Sequence, residues 1–477
     1  MGVSDTQPSA IERFGLRMAT IVENVMPSPF LFAIILSYLV FLAGILVEGN
    51  GPVEMVGFWY DGFWAFLTFA MQMTLILMTG FVIAYHPRVN DLIVKLASVP
   101  NSGKGAAALV GAFAMAIAWL HWGLSLILGA IFAREMGKAA HERGIDVHYP
   151  ILCVAGYMGL GLTWHWGLSG SAPLQINTPG NAFIEQGILD GVVGTSMTIF
   201  SPYALLLTVT STLFGAAMLY LLAPTGDRAR GIAHYVDESE LFDAAADGGS
   251  DAAPAEPDEQ VSDIVESDTI ADRLNNSRIL GGIIGLTGVL MVVSQLLAGG
   301  LDAWTLNLVN FMFLFGGLLI YLRPQHYREK FGEAAGAAAG IILLFPFFAG
   351  IQGMMNASGL SQTLADALFA VSTPQTFPIV AWITGSVVNV FVPSGGGEWI
   401  VLGPSVIEAA NNLGVPVGKA TIAYAVGDAH TNLLNPFWAL PLLAITGVKA
   451  REMFGYAIAM LLLLVPFLAV ALTVIPY

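Results

Sequence analysis

The sequence predicts an all-α polytopic membrane protein. Of its 477 residues 56% are hydrophobic and 11% are charged, whereas a soluble domain carries roughly 25% charged residues. Apolar runs of the roughly 20 residues that a bilayer crossing requires recur from Phe30 to Pro476. We expect about nine transmembrane helices plus two re-entrant hairpins, arranged as two inverted-topology repeats. A soluble enzyme is excluded, because so few charges cannot cover a soluble surface.

The first predicted half covers residues 1–223. Its stretch 105–137 is too long for one ordinary crossing and is interrupted by LHWG at 120–123, so we predict an inner hairpin. The next stretch, 148–174, contains TWHW and is predicted to be a broken helix. The remaining apolar stretches of this half lie near 28–48, 63–85 and 197–223.

An acidic segment at 224–275 separates the two halves. It holds 14 of the 34 acidic residues and 3 of the 18 basic residues, a net charge of −11 out of −16. Sequence rich in Asp, Glu, Ala, Ser and Gly buries too little apolar surface to fold. The segment is therefore predicted to be a disordered cytoplasmic linker.

The second predicted half covers residues 276–477. Its long stretch 376–407 is interrupted by VPSGGGE at 392–398 and is predicted to be an outer hairpin. The stretch 419–446 contains GDAHTNLLNP and is predicted to be a second broken helix. The other apolar stretches lie near 279–299, 303–322, 334–358 and 453–474.

The basic residues support this topology. With a cytoplasmic N-terminus and hairpins that return to their own side, 17 of the 18 Lys and Arg residues fall inside and only Lys419 falls outside, as the positive-inside rule requires. The C-terminus is then outside. The rule does not distinguish a re-entrant hairpin from two full crossings, because in both cases the chain returns to the side of the membrane from which it started.

A weak internal repeat relates the halves. Shifting 105–130 by 274 residues superposes Ala and Gly positions such as Gly123 on Gly397 and Gly129 on Gly403. Five predicted crossings separate the copies, and an odd number reverses their orientation. Inverted repeats with helices broken near the membrane midplane are typical of secondary transporters.

The second hairpin tip and the second broken helix carry the strongest candidate binding groups. Glycine N–H groups at a helix start suit an anion, and ionisable side chains inside a membrane are costly and usually functional. Asp428 and His430 could carry a proton, and a Na⁺ ion could bind near Asp428 and Asn432. The candidate residues here are Asn389, Ser394, Gly395, Gly396, Gly397, Glu398, Asp428, His430, Thr431, Asn432 and Asn435.

The first half offers a second, weaker set of candidates. Two histidines are flanked by tryptophans that could wall an apolar pocket or belong to an interface belt. For each histidine, a structural role and a binding role both remain open. The candidates are His121, Trp122, Trp164, His165, Asn177 and Thr178.

Other kinds of site find no support in the sequence. The stretch SVPNSGKG (98–105) departs from a P-loop at both Ser98 and Gly105. Neither a metal-enzyme signature nor a basic nucleic-acid footprint is present. Cys153 is the only cysteine, which excludes an intrachain disulfide. We expect no cofactor other than a coupling ion, H⁺ or Na⁺.

Three stretches together resemble the short-chain fatty acid transporter family of acetoacetate- and butyrate-type carriers. They are TWHWGLSGSAPLQINTPGN (163–181), NVFVPSGGGEWIVLGPSVIEAA (389–410) and AVGDAHTNLLNPFWALPLL (425–443). The acidic linker looks like a local insertion relative to that family. Kinship with a larger ion-transporter group implies two hairpins, two broken helices and an elevator-like motion.

We therefore expect a secondary transporter in the plasma membrane that takes up short-chain monocarboxylates with H⁺ or Na⁺. No Lys or Arg lies deep within a span, which suits one small negative charge. A dicarboxylate or amino-acid-conjugate carrier of the same architecture remains an alternative, and an ion channel or an intramembrane enzyme is more remote. The expected partners are the small carboxylate and the lipid bilayer, with no nucleic acid, and a homodimer remains open.

Overall fold

A computed structural model describes residues 29–236, 269–391, 394–435 and 438–477. Within these ranges every regular element is helical and no β-strand occurs. The predicted all-α class is therefore confirmed. The helices are α1 Pro29–Leu46, α2 Pro52–Phe63, α3 Leu67–Ala84, α4 Pro87–Ala97, α5 Gly103–Leu120, α6 Trp122–Glu142, α7 Tyr149–Leu162, α8 Ser171–Asn177, α9 Ala182–Glu185, α10 Pro202–Leu222, α11 Ile270–Asn275, α12 Arg278–Gly299, α13 Leu306–Tyr321, α14 Pro324–Ser358, α15 Leu360–Ala370, α16 Phe377–Phe391, α17 Gly395–Leu413, α18 Val417–Thr431, α19 Leu440–Thr446 and α20 Ala450–Val474.

Several of these helices are long and apolar enough to cross a membrane. Six helical stretches of 18 or more described residues meet that requirement, and three shorter apolar helices accompany them. The outer surface is apolar too, since Ile283, Leu290 and Leu297 of α12 are 61, 57 and 83% exposed. Apolar surface of this extent belongs against lipid. The number of crossings and the inverted topology stay predictions.

Both predicted hairpins contain a helix break at the expected place. His121 separates α5 from α6, and its Nδ1 accepts the backbone N–H of Leu124 at 3.0 Å. Ser394 precedes α17, and its hydroxyl accepts the N–H of Gly397 at 3.3 Å. Each break residue thus caps the helix that follows and satisfies one of its free N–H groups.

Both predicted broken helices are also interrupted. α7 ends at Leu162 and gives way to a 3₁₀ turn at Trp164–Trp166, and α18 ends at Thr431 and gives way to a 3₁₀ turn at Asn432–Leu434. α7 packs against both arms of the first hairpin, and α18 packs against both arms of the second. α7 and α18 also contact each other, so the four interrupted elements form one packed group.

Some segments expected to be irregular are helical or packed. Two helices, α2 and α15, lie largely between the predicted apolar stretches. The described start of the predicted linker contains 3₁₀ turns at Gly226–Arg228 and Ile232–His234, and Ile232 is 1% exposed. Its described end contains α11. Most of the acidic sequence, at 237–268, lies outside the described residues, as do residues 1–28.

Candidate functional site

The two predicted broken helices meet at a contact between a histidine and an aspartate. Nδ1 of His165, in the 3₁₀ turn after α7, is in direct contact with Oδ2 of Asp428 in α18, and both side chains are fully buried. Nε2 of His165 accepts the backbone N–H of Ala172 at 3.2 Å and lies 2.9 Å from Ser171 Oγ. Because a backbone N–H can only donate, the ring proton of neutral His165 lies on Nδ1 and faces the carboxylate.

A second carboxyl group lies beside this pair. Glu398 belongs to the first turn of α17, is 0% exposed, and is close enough to the Asp428 carboxyl and the Tyr424 hydroxyl to interact with both. Neither carboxylate oxygen of Glu398 makes a well-formed hydrogen bond to a described residue. Two adjacent buried carboxylates strongly favour sharing a proton. Glu398, Asp428 and His165 are called the buried acid cluster below.

A cavity adjoins the buried acid cluster. It encloses about 660 Å³ of space between its walls, a figure that includes the part continuous with solvent. Its walls are mostly apolar and come from α3, α6, α7, α8, α14, the second hairpin tip and Trp438. The described lining residues are Met73, Leu77, Trp122, Leu160, Trp164, Ser171, Gly340, Ile341, Leu344, Phe345, Ser394, Gly395, Gly396 and Trp438.

The polar end of the cavity is the N-terminus of α17. Gly395 and Gly396 form its first residues, and the positive end of the helix dipole is directed at the space beside them. A Cβ atom on Gly395 would lie 2.7 Å from Asp428 Oδ2 and 2.8 Å from His165 Cε1. Glycine is required here because the helix start and the buried acid cluster touch.

Two tryptophans at the cavity have unused donors. Trp122 and Trp164 are 4% and 7% exposed, and neither indole N–H has a hydrogen-bond partner among the described residues. Their rings lie 6.0 Å apart, and Trp164 stacks on His165 at 4.3 Å. A buried N–H group without a partner is costly, and an acceptor on a ligand within reach could satisfy these two donors.

The asparagines near the second helix break form hydrogen bonds within the protein. Asn389 of α16 donates through Nδ2 to Asp428 O at 2.7 Å, to Thr431 Oγ1 at 3.1 Å and to Asn432 Oδ1 at 2.9 Å. Asn432 in turn donates to Leu160 O at 3.0 Å, and Asn435 O accepts the hydroxyl of Tyr157 at 3.2 Å. These bonds hold the hairpin arm, the broken helix and α7 together.

Four candidate residues lie away from the buried acid cluster. His121 caps α6 and packs on Phe313, and Nε2 of His430 bonds Leu461 O at 2.9 Å while its ring stacks on Trp382. Residues two apart on a helix point to opposite faces, so His430 cannot join Asp428. The other two candidates bond to backbone carbonyls. Asn177 donates to the carbonyls of Asp302 and Trp304, and Thr178 donates to the carbonyl of Leu174.

The expected Na⁺ site near Asp428 and Asn432 stays a prediction. Both polar atoms of the Asn432 side chain are already engaged, Oδ1 by Asn389 and Nδ2 by Leu160 O. In the part of the chain that is described, no group of three or more His, Cys, Asp and Glu side chains is arranged to hold a metal ion.

Sequence reasoning missed several residues of this region. Ser171 bridges the cavity and His165, and it lies only six residues after that histidine. Tyr424 precedes Asp428 by one helical turn, and this spacing could have identified it. The α14 wall, by contrast, comes from a helix that is apolar on several faces and therefore gives no signal in the sequence.

Comparison with known proteins places the chain in a family. The model of a family described as short chain fatty acid transporter matches residues 10–475. An Escherichia coli K12 protein provisionally named a short-chain fatty acid transporter is 36% identical over 456 residues, which is 95% of this chain and 97% of that protein. A Haemophilus influenzae protein with the same provisional name is 31% identical over 469 residues, 97% and 99% of the two chains.

A solved structure shares the fold. The YdaH transporter of Alcanivorax borkumensis matches with a TM-score of 0.54 at 16% identity, covering 93% of this chain and 98% of that one. The structural likeness concerns the fold alone. The resemblance carried by the three sequence stretches is confirmed by the family match, and the chain belongs to the short-chain fatty acid transporter family.

Proposed function

We propose that this protein is a secondary active transporter that carries short-chain monocarboxylates across the plasma membrane together with protons. The observation that carries the proposal is the buried acid cluster at the wall of a largely apolar cavity. The names of the relatives, which refer to short-chain fatty acid transport, support the substrate class.

The cavity suits one negative charge attached to a small apolar body. Its polar groups converge at the start of α17, where Ser394 and the N–H groups of Gly395 and Gly396 can receive a carboxylate. The described lining residues include no Lys or Arg. A second carboxylate, as in succinate, would have to enter the apolar part of the cavity unpaired, which is costly.

The proton coupling follows from electrostatics. A substrate carboxylate beside Gly395 would lie close to Asp428, and two like charges about 5 Å apart repel by about 3 kcal/mol at an effective dielectric constant of about 20. A proton taken up by the cluster removes one of the charges and strengthens substrate binding roughly a hundredfold. By linkage, the substrate strengthens proton binding by the same factor.

The cluster also has a polar connection to the cavity. Ser171 lines the cavity and lies at hydrogen-bond distance from His165, which contacts Asp428, which in turn interacts with Glu398. Between the carboxyl of Asp428 and Ser171 at the cavity wall there is therefore only one side chain, that of His165. Closure of the hairpin tips over the cavity would carry substrate and proton together, in the alternating-access manner of transporters with broken helices.

The substrate class can be tested with purified protein in liposomes. We expect uptake of labelled butyrate, measured above protein-free liposomes because the free acid permeates lipid, to be inhibited by acetate, acetoacetate and hexanoate. Succinate and an amino-acid conjugate should not compete, and replacing Na⁺ with K⁺ should have no effect. Strong competition by succinate would favour the dicarboxylate alternative, and Na⁺-dependent uptake would refute the coupling to protons.

A further inference from the structure

One wall of the cavity is formed by one side of α14. Ile341, Leu344 and Phe345 of α14 line the cavity and are 7, 7 and 4% exposed. Their neighbours Ile342 and Leu343 point the other way, at 55 and 48% exposed. The spacing of three and four residues places the buried side chains on one side of the helix.

This face runs from the polar end of the cavity to an open end. A Cβ on Gly396 would lie 2.8 Å from Phe69, whose ring centroid is 5.5 Å from that of Phe345. Phe345 therefore lies near the start of α17. Gly340, five residues earlier, also lines the cavity, is exposed, and has no atom within 4 Å of an added Cβ. The helical rise makes this path about 7.5 Å long.

The polar end has more donors than the helix start alone. The indole N–H groups of Trp122 and Trp164 lack partners among the described residues although both rings line the cavity. A carboxylate at the start of α17 would supply the acceptors that these buried donors require. With the carboxylate bound there, the alkyl tail of the substrate extends into the apolar part of the cavity, along α14.

We propose that the cavity selects its substrates by alkyl chain length. The carboxylate binds between the N-terminus of α17 and the indole N–H groups of Trp122 and Trp164. The tail lies along α14 from Phe345 past Leu344 to Gly340, and the side chains at these positions determine the longest tail that is accepted. This proposal rests on the proposed transport of monocarboxylates and adds the residues that give it specificity.

Two substitutions should shift the length preference in opposite directions. In wild-type protein the affinity should rise about fourfold for each added methylene until the tail reaches Gly340. Leu344→Ala widens the path beside the tail and should shift the preference toward longer acids. Gly340→Leu fills open space and should weaken hexanoate binding about tenfold while leaving acetate unchanged. Leu343→Ala, on the outward face, is the matched control and should keep the wild-type profile.

The carboxylate end should respond differently. Trp122→Phe and Trp164→Phe keep an aromatic ring and remove only the donor, so each should weaken every acid by a similar factor, about tenfold, without changing the preferred length. The measurement is the affinity of the purified full-length protein for the unbranched acids from acetate to octanoate, obtained by calorimetry.

The outcomes separate this proposal from the one on which it rests. Opposite shifts for Leu344→Ala and Gly340→Leu, with uniform losses for the two Trp variants, support it. If the affinity of both α14 variants depends on chain length as it does in wild type, the chain-length assignment is overturned. Monocarboxylate transport is then unaffected. Wild-type protein that binds none of these acids refutes the proposed function itself.

Discussion

Replacing Asp428 with Asn is expected to abolish proton-driven uptake and to leave substrate binding intact. The amide keeps the shape of the side chain and removes the negative charge beside Gly395, so the substrate no longer requires a proton to offset repulsion. Affinity for butyrate should become nearly independent of pH, whereas wild-type affinity should fall roughly a hundredfold as the pH rises through the titration of the cluster. Glu398→Gln should change the pH dependence in the same direction.

The measurement combines binding affinity across pH with uptake driven by an inward proton gradient. His430→Gln is the matched control, because His430 is another buried ionisable residue of α18, on the face opposite Asp428, and bonds Leu461 O. It should retain wild-type coupling. Proton-driven accumulation by Asp428→Asn at the wild-type level would place the coupling elsewhere in the protein.

Adding one methyl group at Gly395 is expected to reduce transport at least about a hundredfold. The new Cβ would lie 2.6 Å from Trp164, 2.7 Å from Asp428 and 2.8 Å from His165, distances at which something has to move. The shift would separate the start of α17 from the buried acid cluster, and misplacement of about 1 Å at such a site costs about a hundredfold.

Gly316→Ala is the control for this substitution. Gly316 lies inside α13 with no atom within 4 Å of an added Cβ, so alanine should be neutral or slightly stabilising there. Uptake and the amount of folded protein recovered in detergent are measured for both variants. Wild-type uptake by Gly395→Ala would show that close contact at this position is unnecessary.

The sequence predicted the local interruptions of the helices well, because they are encoded locally. A histidine between two apolar runs and a Ser-Gly-Gly-Gly run both mark helix starts, and His121 and Ser394 cap helices at those places. The Asp-Ala-His-Thr-Asn series likewise marked the end of α18. These signals depend on residues within a few positions of one another, which a single sequence shows directly.

The choice of partners could not be predicted in the same way. Five histidine and acidic side chains were candidates, and only the packing of α7 and α17 against α18 decides that His165 and Glu398 face Asp428 while His430 faces α20. The α14 wall was missed for a related reason. An apolar residue in a membrane helix can face lipid or a cavity, and its identity does not distinguish the two.

The proton taken up on substrate binding is the most direct test of the central claim. Calorimetric titration of purified wild-type protein with butyrate, repeated in buffers of different ionisation enthalpy, gives the number of protons bound with each substrate. The measurement is made at a pH where the affinity depends on pH, and it avoids permeation of the free acid through lipid. We predict net proton uptake in wild type and none in Asp428→Asn. Binding without proton uptake in wild type, or binding that requires Na⁺, would contradict a role of the buried acid cluster in coupling.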